Sequence, residues 1–450
     1  MATTVLPPAP PDAERRVKDA TVLLCVYALM LCVLPAKLVL RGIPLDLAPT
    51  MLFGLGIGVI WFCAQQVDTL GAAKGRNIVR TALFCYAVTQ LLTYGAATYS
   101  GLPADELKAT DRTLITLVSV IAVGLAAVDG LRTRQGVERV LRYMVVGAAF
   151  MSFVGILQSR LGYDLTDLLT LPGLRSVSTE ETILERSMFR RPSGTAGHPI
   201  EYGVMCAFTV PLALYFAFRA NRRKEPRQWV WWLCFVVISG GIMFSLSRSA
   251  ILGAAVAGLV LFYSWSWRVR VRMAVAAGVF LVVMRILVPG LVGTLIALFS
   301  NFGQDNSIKG RLVDYAPTSL RIERYPWLGH GVGTNLPLKY GWLDNQYLMT
   351  LLDNGIVGLV ALVAVFLSGV YAALRVRSLT DDPELRDLAM TLVACLAVPT
   401  VAAITFDMLA YAMITGLVFL TVGACGALLR HQRDPAVPAR DEGSSVRIET

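Results

Sequence analysis

The sequence has few charged residues for its length. Asp, Glu, Lys and Arg make up 16% of the 450 residues, whereas apolar residues make up 55%. The eight cysteines all fall inside apolar stretches, and none forms a C-x-x-C pair or another metal-ligand spacing. We therefore expect them to be small buried apolar side chains rather than metal ligands.

The chain also lacks the features of a nucleic-acid-binding protein, although its formal net charge is +10. Its bases fall mainly in short links between apolar stretches, which is the pattern that sets orientation during membrane insertion. No basic helix and no aromatic RNA-binding motif accompanies them. No internal repeat occurs, and no polar insertion is long enough for an ATP-binding or nucleotide-sugar-binding domain. The charge therefore predicts membrane topology and no nucleic-acid partner.

What the chain does contain is a series of apolar stretches about 20 residues long, the length that crosses a hydrocarbon core about 30 Å thick. They predict an all-α, polytopic membrane protein with about twelve transmembrane helices. The predicted spans cover about 20–37, 45–65, 79–97, 113–129, 140–158, 198–218, 229–245, 248–266, 272–298, 346–374, 386–405 and 408–429.

Basic residues concentrate in alternate links, which face the cytoplasm under the positive-inside rule. The rule puts both termini in the cytoplasm, as tails 1–18 and 430–450 around a bundle over 19–429. The opposite side carries two long polar loops, 159–197 and 299–345. Such long loops escape the rule, so their bases do not alter the assignment. We expect a helical bundle in lipid, covered by two external loops.

Three groups of basic residues fall on the external side. The first runs from Arg190 and Arg191 through a Gly-rich turn to His198, at the start of the sixth predicted span. Adjacent guanidiniums, exposed backbone N–H groups and a helix N-terminus are the elements of an anion site, although a plain loop before a helix has the same composition. The second group is Arg248, in the short link between the seventh and eighth spans. This arginine either snorkels to the interface or pairs with an anion.

The third group lies in the second external loop, from Arg311 to Asp344, where the chain re-enters an apolar stretch. Asp344 is either an N-cap, a common role of Asp at a helix start, or a reactive carboxylate. If the three groups converge, their arginines suit a diphosphate, because a guanidinium binds phosphate oxygens in bidentate fashion. A carboxylate nearby would then act as general base on an acceptor hydroxyl.

Other charged residues have open roles. Glu201 and Asp314 are alternative ion-pair partners for these arginines, and His330, which lies among glycines, is typical of a turn. Arg285 and Asp353 lie inside apolar stretches. There a functional role, an internal ion pair or an end-of-span position each explains a charge.

The three groups lie in stretches that resemble a known family. RRPSGTAGHPIEYG, SLSRSAILG and GR...YPWLGHGVGT...LDNQYLMTLLDNGIVGL are similar to successive motifs of the O-antigen ligase and Wzy-type polymerase family of bacterial membrane glycosyltransferases. The resemblance covers about 190–370. It implies a GT-C-like fold and transfer of a glycan from an undecaprenyl-diphosphate-linked oligosaccharide to an acceptor glycan, in surface or extracellular polysaccharide biosynthesis. The transfer is expected at the outer face of the bacterial cytoplasmic (inner) membrane, among membrane lipid, with inversion and without a metal or other cofactor.

Carried over onto this sequence, the resemblance also implies residue roles. The diphosphate leaving group would be held by Arg190, Arg191, Arg248 and Arg311. The family's His-Asn pair before the tenth span is Asp344-Asn345 here. Asp344 is therefore the expected base in place of the family's histidine, and His198 is a second candidate.

The resemblance leaves the product open, with polymerisation of a polysaccharide expected ahead of ligation to a lipid core. Two other classes are alternatives. One is a peptidoglycan-polymerising transferase, which differs in the order of its motifs. The other is a multi-pass transporter or flippase for lipid-linked glycans, which predicts paired repeats or Gly/Pro-broken helices at matching positions in two halves. Neither feature is evident in the sequence.

Overall fold

The computed structural model is a bundle of helices with four short strands. It describes residues 19–42, 45–67, 75–169, 171–177, 184–186, 189–300 and 317–433, without the side chains of 184–186, 189–190 and 297–300. The helices are α1 (Thr21–Val33), α2 (Pro49–Gln65), α3 (Ile78–Tyr99), α4 (Ala104–Gly130), α5 (Arg134–Leu161), α6 (Pro199–Arg222), α7 (Gln228–Phe244), α8 (Arg248–Ser264), α9 (Trp267–Leu287), α10 (Leu291–Ser300), α11 (317–324), α12 (Pro337–Tyr340), α13 (Gln346–Leu379), α14 (Pro383–Ala402) and α15 (Ala412–Arg433). The strands β1 (Leu38–Leu40) and β2 (Leu174–Ser176) pair antiparallel, as do β3 (Leu184–Arg186) and β4 (Phe189–Arg191).

Every predicted span contains a helix, so the helical class of the protein is confirmed. In the described part of the chain, six helices are long and apolar enough to cross a membrane: α4, α5, α6, α13, α14 and α15. Four more, α1, α2, α7 and α8, are apolar but shorter. Twelve spans and the orientation of the termini stay predictions.

The ninth predicted span, 272–298, is not one helix. α9 ends at Leu287 and α10 begins at Leu291. Pro289 between them has no N–H to donate and disfavours helical backbone at Val288, and Gly290 adopts a left-handed φ of 87°. The prediction of a continuous helix was wrong because the apolar composition outweighed this Pro-Gly pair.

The helices bring two different sets of charged residues to the two ends of the bundle. At one end the buried Glu138 of α5 pairs with Arg219 of α6 at 2.9 Å, and Arg219 pairs with Glu384 of α14 at 3.2 Å. α6 has 24 residues, which makes it about 36 Å long at about 1.5 Å per residue. Its other end, at His198, therefore lies far from this ion-pair network. The three residues of the network lie beside links whose basic residues predict a cytoplasmic position.

A break in α13 shapes the end that carries the candidate site. Gly355 has φ 63° and ψ −167° inside this helix, so the regular hydrogen bonds stop there. The 326–331 segment supplies replacements. It accepts from the N–H groups of Ile356 (2.8 Å) and Val357 (3.2 Å), and it donates to the carbonyls of Leu352 (3.0 Å) and Asp353 (2.9 Å). Buried backbone groups at a helix break must be satisfied in this way inside a membrane protein.

The break predicts that replacing Gly355 by alanine destabilises the protein more than the same replacement at a glycine of a regular helix. Gly355→Ala forces a non-glycine residue into this conformation and drives its Cβ into the carbonyl of Trp327, so we expect a loss of about 1–3 kcal/mol in the free energy of unfolding. Gly278→Ala, in α9, places its new Cβ where no atom lies within 4 Å, and should be neutral or stabilising by about 0.5–1 kcal/mol. Thermal unfolding of both variants in detergent measures the difference, and equal melting temperatures would contradict it.

Candidate functional site

The three groups of motif residues meet at the link between α14 and α15, residues 403–411. Gln346, the first residue of α13, donates its backbone N–H to Ala403 (2.7 Å) and accepts from Leu409 N–H through its side chain (2.6 Å). Thr405 Oγ1 donates to Ser249 Oγ of α8 at 2.7 Å. The rings of His198 and Tyr411 lie 5.9 Å apart. The α14–α15 link therefore contacts all three motifs.

The first motif is held tightly against α1 and α5. The Gln158 side chain accepts from Gly194 N–H (2.7 Å) and donates to its carbonyl (2.9 Å). Thr195 donates its hydroxyl to the carbonyl of Cys32 at 2.6 Å. From this loop Arg191 donates through Nε to the Ser245 carbonyl at 3.4 Å. The first motif thus reaches the link that carries the second.

Two backbone N–H groups of the Gly-rich turn, which were expected to contribute to an anion site, have protein partners instead. Gly194 N–H is taken by Gln158, and Gly197 N–H is donated to Glu201 Oε2 at 2.9 Å. Within the described residues the bonds of Glu201 go to backbone groups rather than to the arginines. Its other oxygen, Oε1, accepts from Ile414 N–H at 3.2 Å. This glutamate, 1% exposed, ties the first motif to the start of α15.

The second motif forms a tight turn before α8. Leu246 adopts a left-handed φ of 47°, and Ser247 caps α8 by accepting from Ala250 N–H at 3.4 Å. α6 packs close to the turn, since a Cβ on Gly203 would lie 2.6 Å from Ser245 Oγ. Arg248 is the first residue of α8 and partly exposed, so the turn presents it at the site end of the bundle.

The third motif contains the α13 N-cap, which is not Asp344. Asn345 accepts from Leu348 N–H through Oδ1 at 3.1 Å, so the capping interpretation of Asp344 was wrong. Asp344 directly precedes this N-cap in the sequence. Its charge acts on His198 and on Asp407 of the α14–α15 link. Arg311 and Asp314 lie outside the described residues.

Arg190 belongs to β4, and nothing is described of its side chain. The structure therefore brings together four of the six predicted site residues. They are Arg191, His198, Arg248 and Asp344.

His198 is arranged as a donor. Its Nδ1 accepts from Ile200 N–H at 3.1 Å, which makes it the N-cap of α6 and leaves the proton of the neutral ring on Nε2. Burial, and after it the Arg191 guanidinium, lowers the His198 pKa from 6.5 to about 4, against the opposing effect of Asp344. Since its lone pair is engaged, the neutral ring can donate a hydrogen bond to a ligand more readily than it can accept a proton.

Sequence reasoning missed two residues of the site, Asp407 and Tyr411. Burial, together with the nearby Asp344 carboxylate, raises the pKa of Asp407 to about 7, although Ala410 N–H partly offsets this. The Tyr411 ring lies between those of His198 and Phe406 and is tilted against both, with centroids 5.9 and 5.8 Å away. The sequence does contain a signal for Asp407, which is a lone carboxylate in the very short link between two predicted spans. Because that link has no Lys or Arg, a search for groups of basic residues does not find it.

Two of the remaining sequence candidates, His330 and Asp353, take part in hydrogen bonds with the backbone. His330 lies in a turn between Gly329 and Gly331, as predicted, and its N–H bonds the Leu352 carbonyl at 3.0 Å. Asp353 is buried within α13 and accepts from Gly333 N–H at 2.8 Å. Arg285 is exposed on α9. Across the described ranges, no group of three or more His, Cys, Asp or Glu side chains could hold a metal ion.

Comparison with known families identifies the segment that holds the second and third motifs. Residues 233–363 match the family model described as O-Antigen ligase. This part of the chain belongs to the O-antigen ligase family. The resemblance predicted from the motifs is thereby confirmed. No curated protein matches the chain.

The O-antigen ligase segment contains Arg248, Arg311 and Asp344, whereas Arg191 and His198 precede it and Asp407 follows it. Family membership and the six apolar helices together support a membrane glycosyltransferase type of function.

The depressed pKa of His198 predicts a pH-dependent contribution to stability. The unfolded chain binds a proton at this residue below about pH 6.5, whereas the folded chain does so only below about pH 4. The contribution is therefore complete above pH 6.5 and declines as the pH falls towards 4. His198→Asn keeps a capping acceptor without the titration. Its melting temperature should fall less than that of the wild type between these pH values, and parallel curves would refute the assignment.

Proposed function

We propose that the chain transfers a glycan from an undecaprenyl-diphosphate-linked donor to a sugar hydroxyl of an acceptor glycan, at the outer face of a bacterial cytoplasmic membrane. The observation that carries the proposal is the meeting of arginines, a histidine donor and two carboxylates at the α14–α15 link. These groups lie at the ends of apolar helices, so a lipid tail can extend between the helices while its diphosphate stays at the polar end.

The arginines act on the leaving group in this proposal. Charge develops on the diphosphate as the glycosidic bond to it breaks, and a guanidinium binds phosphate oxygens in bidentate fashion. Arg191 is held beside the turn that carries Arg248, so the two can share one diphosphate. Arg190 and Arg311 remain proposed members of the same site. His198 can add a neutral hydrogen bond from Nε2.

The carboxylates act on the acceptor. The sequence predicts Asp344 as the general base, and α13 is capped by Asn345 instead. Asp407 is a second carboxylate at the same site, and one of the two takes the hydroxyl proton in this proposal. Removal of the hydroxyl proton increases the nucleophilicity of the acceptor oxygen as it attacks the anomeric carbon. A single displacement of this kind inverts the anomeric centre, and it serves both a polysaccharide polymerase and an O-antigen-type ligase.

Release of undecaprenyl diphosphate from membrane-derived lipid-linked oligosaccharide tests the proposal. Purified wild-type protein should release it while forming a longer or transferred glycan. Arg248→Ala, Arg311→Ala and Asp344→Asn should each lower the rate by about 100-fold or more, as loss of a transition-state contact does. Arg375→Ala is the matched control, since Arg375 is exposed near the far end of α13, and its rate should stay within about twofold of the wild type.

The products separate the remaining activities. A ladder of glycan lengths indicates a polymerase, and a single addition to a lipid core indicates a ligase. The break in α13 is also a feature of transporters, which keeps a flippase as the second candidate. Movement of the donor across vesicles without release of undecaprenyl diphosphate would favour it and refute the transferase.

A further inference from the structure

Asp407 is a second carboxylate at the site, and four contacts of the α14–α15 link hold it there. Two join the link to Gln346 of α13, one joins Thr405 to Ser249, and one is the tilted ring contact of Tyr411 with His198. Asp407 directly precedes a 3₁₀ turn, Met408–Ala410. A link held from three helices positions its residues before a substrate binds.

Among the described residues, the titratable groups that share an electrostatic interaction with Asp407 are Asp344, Asp353 and Tyr411. The elements that pack on the link also carry Arg191, His198, Glu201 and Arg248. Glu201 and Asp353 both accept hydrogen bonds from backbone N–H groups. Asp344 is the neighbour whose charge acts most strongly on Asp407.

We propose that Asp407 is the catalytic group that takes the proton of the acceptor hydroxyl, with Asp344 as the carboxylate beside it. The assignment rests on the proposed glycan transfer and deepens it. Two carboxylates close together in a poorly solvated site do not ionise equally, so one of them becomes the stronger base.

The step balances as a single displacement. The acceptor O–H bond breaks, and its proton passes to an oxygen of Asp407. The electron pair of that bond forms the new bond from the acceptor oxygen to the anomeric carbon. The bond from the anomeric carbon to the diphosphate breaks, and its electron pair leaves with the diphosphate. Asp407 then returns the proton to solvent before the next turnover.

The electrostatics of the site support this division of roles. A general base is most effective when its pKa lies near the working pH. Burial and the Asp344 charge bring the pKa of Asp407 to about 7. Asp407 is also partly exposed, so it remains accessible to an acceptor. The O-antigen ligase segment ends at 363, before Asp407, so the family match does not assign this residue.

The pH dependence of undecaprenyl diphosphate release, measured as kcat and kcat/KM, tests the assignment in the full-length protein. The wild-type rate should rise with pH through about 7, and this rise is the acid limb of the pH profile. Asp407→Asn should lower kcat by about 100-fold or more and abolish this acid limb. Asp344→Asn should keep an acid limb but move it to lower pH, because loss of the neighbouring negative charge lowers the pKa of Asp407.

Two further variants complete the set. Asp407→Glu should recover part of the lost kcat together with an acid limb. Asp387→Asn removes a carboxylate of α14 that pairs with Arg222 in the far ion-pair network, and its profile should match the wild type.

The outcomes separate this inference from the proposed function. An active Asp407→Asn variant with an unchanged acid limb overturns the inference while the transferase stands. An acid limb lost in Asp344→Asn but kept in Asp407→Asn assigns the base to Asp344 and also overturns it. If Asp407→Asn does not fold, the shift in folded Asp344→Asn decides between the two carboxylates. A wild-type protein that releases no undecaprenyl diphosphate overturns both proposals.

Discussion

The attachment of Gln346 to the α14–α15 link is the interaction on which the site depends. Gln346 is 2% exposed, donates its backbone N–H to Ala403 and accepts from Leu409 N–H. One residue thereby satisfies a helix-start donor of α13 and two groups of an irregular link. Asp344 lies two residues before Gln346, and Asp407 lies inside the link it anchors. Backbone bonding therefore holds the segments that carry the two carboxylates next to each other.

The two ends of the bundle use charge in different ways. Glu138, Arg219 and Glu384 are paired with one another and stabilise the junction of α5, α6 and α14. At the opposite end the Asp344 carboxylate, after burial, raises the pKa of Asp407. Complementary charge is typical of a structural junction, whereas like charges held close together are typical of a site that binds or reacts.

Residue by residue, the sequence predicted much of the site but little of its geometry. The convergence of Arg191 with the Ser245–Ser249 turn followed from placing both on one side of the membrane. The sequence also offered Asp344 as an N-cap, and Asn345 proved to be the cap because the first turn of α13 begins one residue later. The glycines around Gly194 were interpreted as donors to an anion. Their N–H groups are instead taken by Gln158, which is distant in sequence, and by Glu201, one helical turn further along the chain.

By itself the sequence determined the helical class, the positions of the apolar helices, the three motifs and the family of their central segment. These properties depend on local composition and on residue order, which a chain displays without folding. Only the tertiary structure decided the break at Gly355, the roles of Gln346 and Glu201, and the position of Asp407 beside Asp344. Each of these depends on which distant backbone groups need partners once water is excluded, and that depends on how the helices pack.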